Sequence, residues 1–144
     1  MALDQLYQQL ILEHNRNPRH FGPLPDATHA GRGQDALCGD DILVELQIES
    51  DRIKAAAFSG EACAVTKASA SLLTDWLVGR EPGDLTTWRD RFETLLKNIA
   101  LDDAPELGAI NQLRVVGQFP ARLRNALLPW EAACRALSCD TPPT

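Results

Sequence analysis

The hydrophobic period of this chain changes once between residues 42 and 77, and that change limits the folds open to it. Ile42, Val44, Leu46 and Ile48 alternate with Leu43, Glu45, Gln47 and Glu49, a period-two pattern with one apolar face. Ser50-Asp51 supplies a turn, and residues 52–59 read as the returning strand. Ala55, Ala56 and Ala57 are weak strand formers, so a strand there is expected from the hairpin context. After Gly60 the spacing becomes helical. Val65, Ala68, Leu72, Leu73, Trp76 and Leu77 share one stripe that stops before Gly79, a residue suited to the position just past a helix. The run Ala68-Ser69-Ala70-Ser71 keeps this helix slender and fit for close packing.

The flanking segments add helices. Leu3, Leu6, Tyr7, Leu10 and Ile11 recur at helical spacing, and Pro18 disfavours helix at Asn17. Residues 19–37 are rich in Gly, Pro and polar side chains and read as loop, with a short irregular strand near 28–36. Another helix is expected from Asp84, an N-cap residue, carrying Leu85, Trp88, Phe92, Leu95, Leu96 and Ile99. Residues 102–111 read as a loop with one helical turn. The last helical region begins at Pro120, and Pro129 either kinks it or starts a second helix through Leu137. The tail 138–144 is expected to fray. A hairpin followed by helices predicts an α+β fold: a small antiparallel sheet of about three strands with helices on one face. At 144 residues the chain reads as a single domain over 1–144.

The formal net charge of −6 argues against a general affinity for nucleic-acid backbone. No apolar run reaches the roughly 18 residues that span a bilayer. Residues 1–5 show neither a basic start nor an apolar core of a secretory signal, so a cytoplasmic location is expected. In that reducing compartment four cysteines read better as ligands, nucleophiles or core residues than as a disulfide framework.

The chemistry concentrates at Cys38-Gly39-Asp40 and at Cys63 in Gly60-Glu61-Ala62-Cys63. Two thiols and a carboxylate form a ligand set for zinc or iron, or a reactive sulfur site. Gly39 lets the backbone bend so that Cys38 and Asp40 converge. Cys63 stands where strand gives way to helix, and a helix N-terminus favours thiolate over thiol. The hairpin returns the chain toward its origin, which allows Cys63 to lie beside the Cys38 loop. The plainer reading is two small residues near a core.

A set of motifs in order sharpens this. Leu6-Tyr7, Asn17-Pro18-Arg19, Gly22, Cys38-Gly39-Asp40, Gly60-Glu61-Ala62-Cys63, Ala68-Ser69-Ala70-Ser71 and Phe119-Pro120-Ala121-Arg122 together resemble the iron–sulfur cluster assembly scaffold family, the IscU and NifU N-terminal type. The resemblance covers residues 3–137. It is greatest to the SufU branch, whose insertion the long stretch between Cys63 and Phe119 matches. It implies that Cys38, Asp40 and Cys63 are ligands to zinc or to a transient iron–sulfur cluster. It also implies that Cys38 accepts persulfide sulfur from a SufS-like cysteine desulfurase, with other iron–sulfur assembly proteins as further partners. Arg122 would lie near the thiols and stabilise a thiolate or persulfide. The expected role is that of a scaffold or sulfur carrier rather than a turnover enzyme.

The chain departs from the family pattern at Asn125. The third family cysteine follows Phe-Pro-Ala-Arg after two residues, where this chain reads Leu123-Arg124-Asn125, and Arg124 stands in place of a histidine. An amide oxygen is a poor substitute for thiolate on zinc or iron, and a structural zinc wants four ligands. Cys134 lies nine residues further on, roughly 13 Å along a continuous helix and on its opposite face. Cys139 would have to fold back from the tail. A core or incidental role is expected for both, and His14, His20 and His29 receive no ligand role. Gly31-Arg32-Gly33-Gln34-Asp35-Ala36 spells a dinucleotide-type pattern, but it neither follows a convincing strand nor opens a helix. Three functions follow: sulfur acceptor or scaffold with an incomplete Cys/Asp/Cys site, degenerate adaptor without metal or sulfur chemistry, and, ranked last, a Cys38–Cys63 redox pair.

Overall fold

The computed structural model describes residues 3–137. The element order is α1 (Leu3–Arg16), β1 (His29–Asp35), β2 (Asp40–Glu49), β3 (Arg52–Glu61), α2 (Ala64–Leu77), a short 3-10 turn (Pro82–Asp84), α3 (Leu85–Lys97), a 3-10 segment (Pro105–Gln118) and α4 (Pro120–Ala136). The strands form one antiparallel sheet in the order β1-β2-β3, the α+β arrangement expected. Residues 138–144, where a frayed tail was expected, lie outside the described residues.

The hairpin forms where the period-two pattern places it. Ser50 and Asp51 both take positive φ, 53° and 60°, the twist that a two-residue connection needs to match right-handed strands. Ile42, Val44 and Leu46 point inward and are 1%, 0% and 0% exposed. The alternation fails at Ile48. A bulge between Gln47 and Ile48 shifts the register, Ile48 is only partly buried, and Ile53 on β3 takes the inner place. The outer edge of β3 is covered by residues 20–22: Phe58 donates its N–H to the His20 carbonyl, and Gly22 donates to the Phe58 carbonyl.

α2 runs through the centre. Ten of its residues are buried, including Thr66, Ser69, Ser71 and Thr74, so it is apolar or small nearly all round. Its polar side chains are satisfied internally. Ser69 donates to the Ala126 carbonyl at 2.6 Å, and Ser71 joins α1 through His14 at 2.7 Å. α1 and α4 flank it, and Trp130 of α4 stacks on Phe92 and tilts against Trp76.

Three expectations need correction. α3 ends at Lys97, so Ile99 lies beyond it and is exposed. Residues 102–111 are not a loop with one turn: from Pro105 the chain enters a 3-10 segment that runs to Gln118, interrupted at Gly108. Its buried residues Leu107, Ile110, Leu113 and Val116 repeat every three residues, the period that places side chains in one row on a 3-10 helix. Arg114 pins this segment, donating to the Leu95 and Asn98 carbonyls and to Asp103. Finally, of the two readings at Pro129 the second helix is ruled out, because α4 runs from Pro120 to Ala136 as one helix. The proline removes the N–H that the Asn125 carbonyl would accept, and the next carbonyl, on Ala126, is held from outside by Ser69.

Candidate functional site

Register brings the candidate residues together. Asp41 pairs with Glu61 across the hairpin, so the start of β2 lies beside the end of β3, and α2 begins three residues later. Gly60 is required in this corner. It takes φ 110°, and a β-carbon there would run into the Asp41 carbonyl.

Asp40 is the hub. It is 3% exposed. Its Oδ1 accepts the Cys63 backbone N–H at 2.7 Å. Its Oδ2 accepts the Thr66 hydroxyl at 2.6 Å and the Asn125 amide at 3.0 Å. Cys63 is the N-cap residue of α2 and has no capping side-chain bond of its own. A carboxylate from β2 therefore caps this helix, where negative charge is favourable. The Cys63 sulfur lies 3.7 Å from Asp40 Oδ2 and 3.3 Å from Thr66 Oγ1. Thr66 and Cys63 each have one side-chain proton, and both donate it to Asp40 Oδ2.

Cys38 is placed differently. Its thiol is exposed, whereas that of Cys63 is half-buried. The loop that carries it is built on Asp35. That carboxylate accepts the Leu37 N–H at 3.0 Å and Arg124 at 3.5 Å, and the Asp35 carbonyl accepts the Cys38 N–H at 3.2 Å. Gly39 follows at φ 72°. Arg124, which stands where IscU-type members have a histidine, thus braces the Cys38 loop. Arg122 is exposed and lies near the Tyr7 hydroxyl. Burial raises the Tyr7 pKa above the ordinary phenol range, the Arg122 guanidinium opposes that shift, and the nearby Cys63 sulfur adds to it.

Cys63 and Asp40 are therefore in contact, and Arg122 reaches them through Tyr7. Among the described residues no three His, Cys, Asp or Glu side chains are gathered closely enough to hold a metal ion. Cys134 is on the buried face of α4 in the core, and Cys139 lies outside the described residues. Cys38, Cys63 and Cys134 form no disulfide with one another. Thr66 and Tyr7 are site residues that the sequence reading gave no role. For Thr66 the signal was its spacing: three residues after an N-cap, it can reach back to the cap.

The resident zinc that the resemblance implies is tested by this donor set. A structural zinc takes four ligands. Here both Asp40 oxygens already accept hydrogen bonds, and Oδ2 accepts three, from Thr66, Asn125 and the Cys63 S–H. A carboxylate only accepts, so the Asn125 group facing it is the NH2. The fourth place thus holds an amide turned as a donor. These residues do not fit a four-coordinate resident metal.

Residues 6–124 match the family described as NifU-like N terminal domain. The chain is 35% identical over 130 residues to the zinc-dependent sulfurtransferase SufU of Bacillus subtilis, covering 90% of this chain and 88% of that protein. It is 30% identical over 135 residues to the iron–sulfur cluster assembly scaffold protein IscU of Streptococcus pyogenes, covering 94% and 84%. The crystal structure of the N-terminal part of a nitrogen-fixing NifU-like protein from Brucella abortus superposes with a TM-score of 0.83 at 23% identity, over 96% of each chain. No helix among the described residues is long and apolar enough to cross a membrane. With the family pattern matched over most of its length, this chain belongs to the NifU-like N-terminal domain family.

Proposed function

We propose that this chain serves iron–sulfur cluster assembly by accepting sulfur from a cysteine desulfurase, with Cys38 as the acceptor. The observation that carries this is the contrast between the two thiols. Cys38 is exposed on a braced loop, while Cys63 is half-buried and its S–H is engaged by Asp40, beside Thr66. An incoming persulfide meets Cys38 first.

In this step the Cys38 thiolate attacks the terminal sulfur of the desulfurase persulfide. The sulfur–sulfur bond in the donor breaks, its cysteine leaves as thiolate with the bonding pair, and a new sulfur–sulfur bond forms on Cys38. No net oxidation occurs. Arg122, beside Tyr7 and on the Cys63 side of the site, supplies positive charge that favours an anionic product there. Iron or a nascent cluster is cargo in this scheme, passed to other assembly proteins.

Mass spectrometry after incubation with a cognate desulfurase and cysteine tests the assignment. Wild type and Cys63→Ser are expected to gain one sulfur on Cys38, and Cys38→Ser to lose that label. Equal labelling of wild type and both variants removes these thiols from the mechanism. The adaptor reading draws support from Asn125, which occupies the place of a family ligand; it predicts no labelling in any of the three.

A further inference from the structure

We infer that Asn125 replaces the metal of this site by a hydrogen bond, so that the chain takes up sulfur without a resident zinc ion. In a four-ligand site the metal ties together the segments that supply its ligands. Here the same segments are tied by the Asp40 carboxylate alone. Asp40 at the start of β2 receives the Cys63 N–H and the Thr66 hydroxyl from the first turn of α2, and the Asn125 amide from α4. All three partners carry protons, and all converge on one carboxylate.

Asp40 Oδ2 has no lone pair to give a zinc ion unless Thr66 or Asn125 is left unpaired, and on Oδ1 only one site beside the Cys63 N–H stays open. Thr66 is 0% exposed and Asn125 is 3% exposed, so neither would regain a partner from water. The metal would also find the Asn125 NH2 facing the carboxylate, and an NH2 is no ligand. The obstacle thus comes from the residues that surround Asp40 as much as from the missing thiol. A cysteine at position 125 removes one of the donors and adds one ligand.

The metal-free claim stands on this network alone, while its meaning for sulfur transfer rests on the function proposed above. Zinc chloride alone is the probe. Purified full-length wild type and Asn125→Cys are titrated in competition with a chromophoric chelator, and bound zinc is measured after gel filtration. The expected result is an affinity for the variant on the order of 100-fold or more above wild type. The melting midpoint of the variant should rise with zinc, and that of wild type should not respond to zinc or to chelator. Wild type holding one zinc per chain through chelation, and losing it in Asp40→Ala, would overturn the inference. A folded Asn125→Cys that binds no better than wild type would overturn it equally, because the amide would then not be what excludes the metal. If that variant does not fold, Asn125→His provides the same gain of a ligand. Desulfurase labelling of chelator-treated wild type separates the two claims: no label with no zinc refutes the sulfur role and leaves the metal-free site supported.

Discussion

Replacing Asp40 by alanine should destabilise the whole protein, not only its chemistry. The carboxylate accepts three strong bonds, from the Cys63 N–H, the Thr66 hydroxyl and the Asn125 amide. Alanine orphans all three donors. The Cys63 N–H sits at a partly open helix end and can turn to water, so it contributes little. The Thr66 hydroxyl and the Asn125 amide are buried, and each unsatisfied buried group costs about 1–3 kcal/mol. Loss of the negative charge at the α2 N-terminus adds about 0.5–1 kcal/mol. The sum is about 4 kcal/mol, a large share of the roughly 5–15 kcal/mol that holds a domain folded. Asp40→Asn should cost much less, about 1–2 kcal/mol, because Thr66 can rotate and Asn125 can present its oxygen to the new amide. Urea unfolding followed by circular dichroism measures both. With a slope of about 2 kcal/mol per molar, the alanine variant should move the midpoint down by about 2 M and the asparagine variant by less than half of that. The measurement should be repeated with chelator, which is expected to change neither difference. A midpoint for Asp40→Ala within about 0.3 M of wild type would refute the account of Asp40 as the joint of this corner.

Two further outcomes follow from the packing. His14 is buried, and its Nδ1 hydrogen-bonds the Ser71 hydroxyl, which also accepts the Arg19 N–H. Burial, with Arg19 nearby, holds the His14 pKa below its ordinary value. The unfolded chain therefore binds the proton more readily, so this contribution to stability is present above about pH 6.5 and is lost as pH falls below it. Urea midpoints compared at about pH 7.5 and about pH 5.5 should show the decline, and His14→Gln should flatten it; an equal decline in the variant would clear His14 of the effect. Gly31→Ala should destabilise by about 2 kcal/mol or more, since its β-carbon would collide with the Ala132 carbonyl and the Ala136 backbone of α4. A thermal melt unchanged by that substitution would mean that α4 does not sit on β1 as described.

Much of this architecture is legible in the sequence where local pattern and tertiary contact agree. The alternation from Ile42 to Leu46 survives as the inner face of β2 because one side of the sheet is buried and a slip of one residue would turn every side chain out. It fails at Ile48 because a bulge carries no sequence mark of its own. The segment from Pro105 was misread for a different reason. Its apolar residues are spaced at three, and neither the helical nor the strand template catches that period. Helix α4 was expected to kink or restart at Pro129, yet it continues as one helix, with Ser69 of α2 tying down the neighbouring Ala126 carbonyl in a contact that no local rule contains. At the site, motif order locates Cys38, Asp40 and Cys63, and the hairpin explains why two of them meet. The bond from Asn125 to Asp40 spans 85 positions. An asparagine where a cysteine is expected shows what was lost, and only the fold shows what the replacement holds.

The central position of α2 has a consequence for how the two thiols move. Cys63 and Thr66 open a helix buried on nearly every side, so the amides of its later turns should exchange with solvent only on the slow timescale of whole-domain opening. Cys38 belongs to a short loop carried by a few local bonds to Asp35, which can open on its own. The pair is thus a fixed post and a swinging arm. On the proposed sulfur role, mutations that stiffen or loosen residues 35–39 should set the pace of uptake at Cys38 while leaving the post in place.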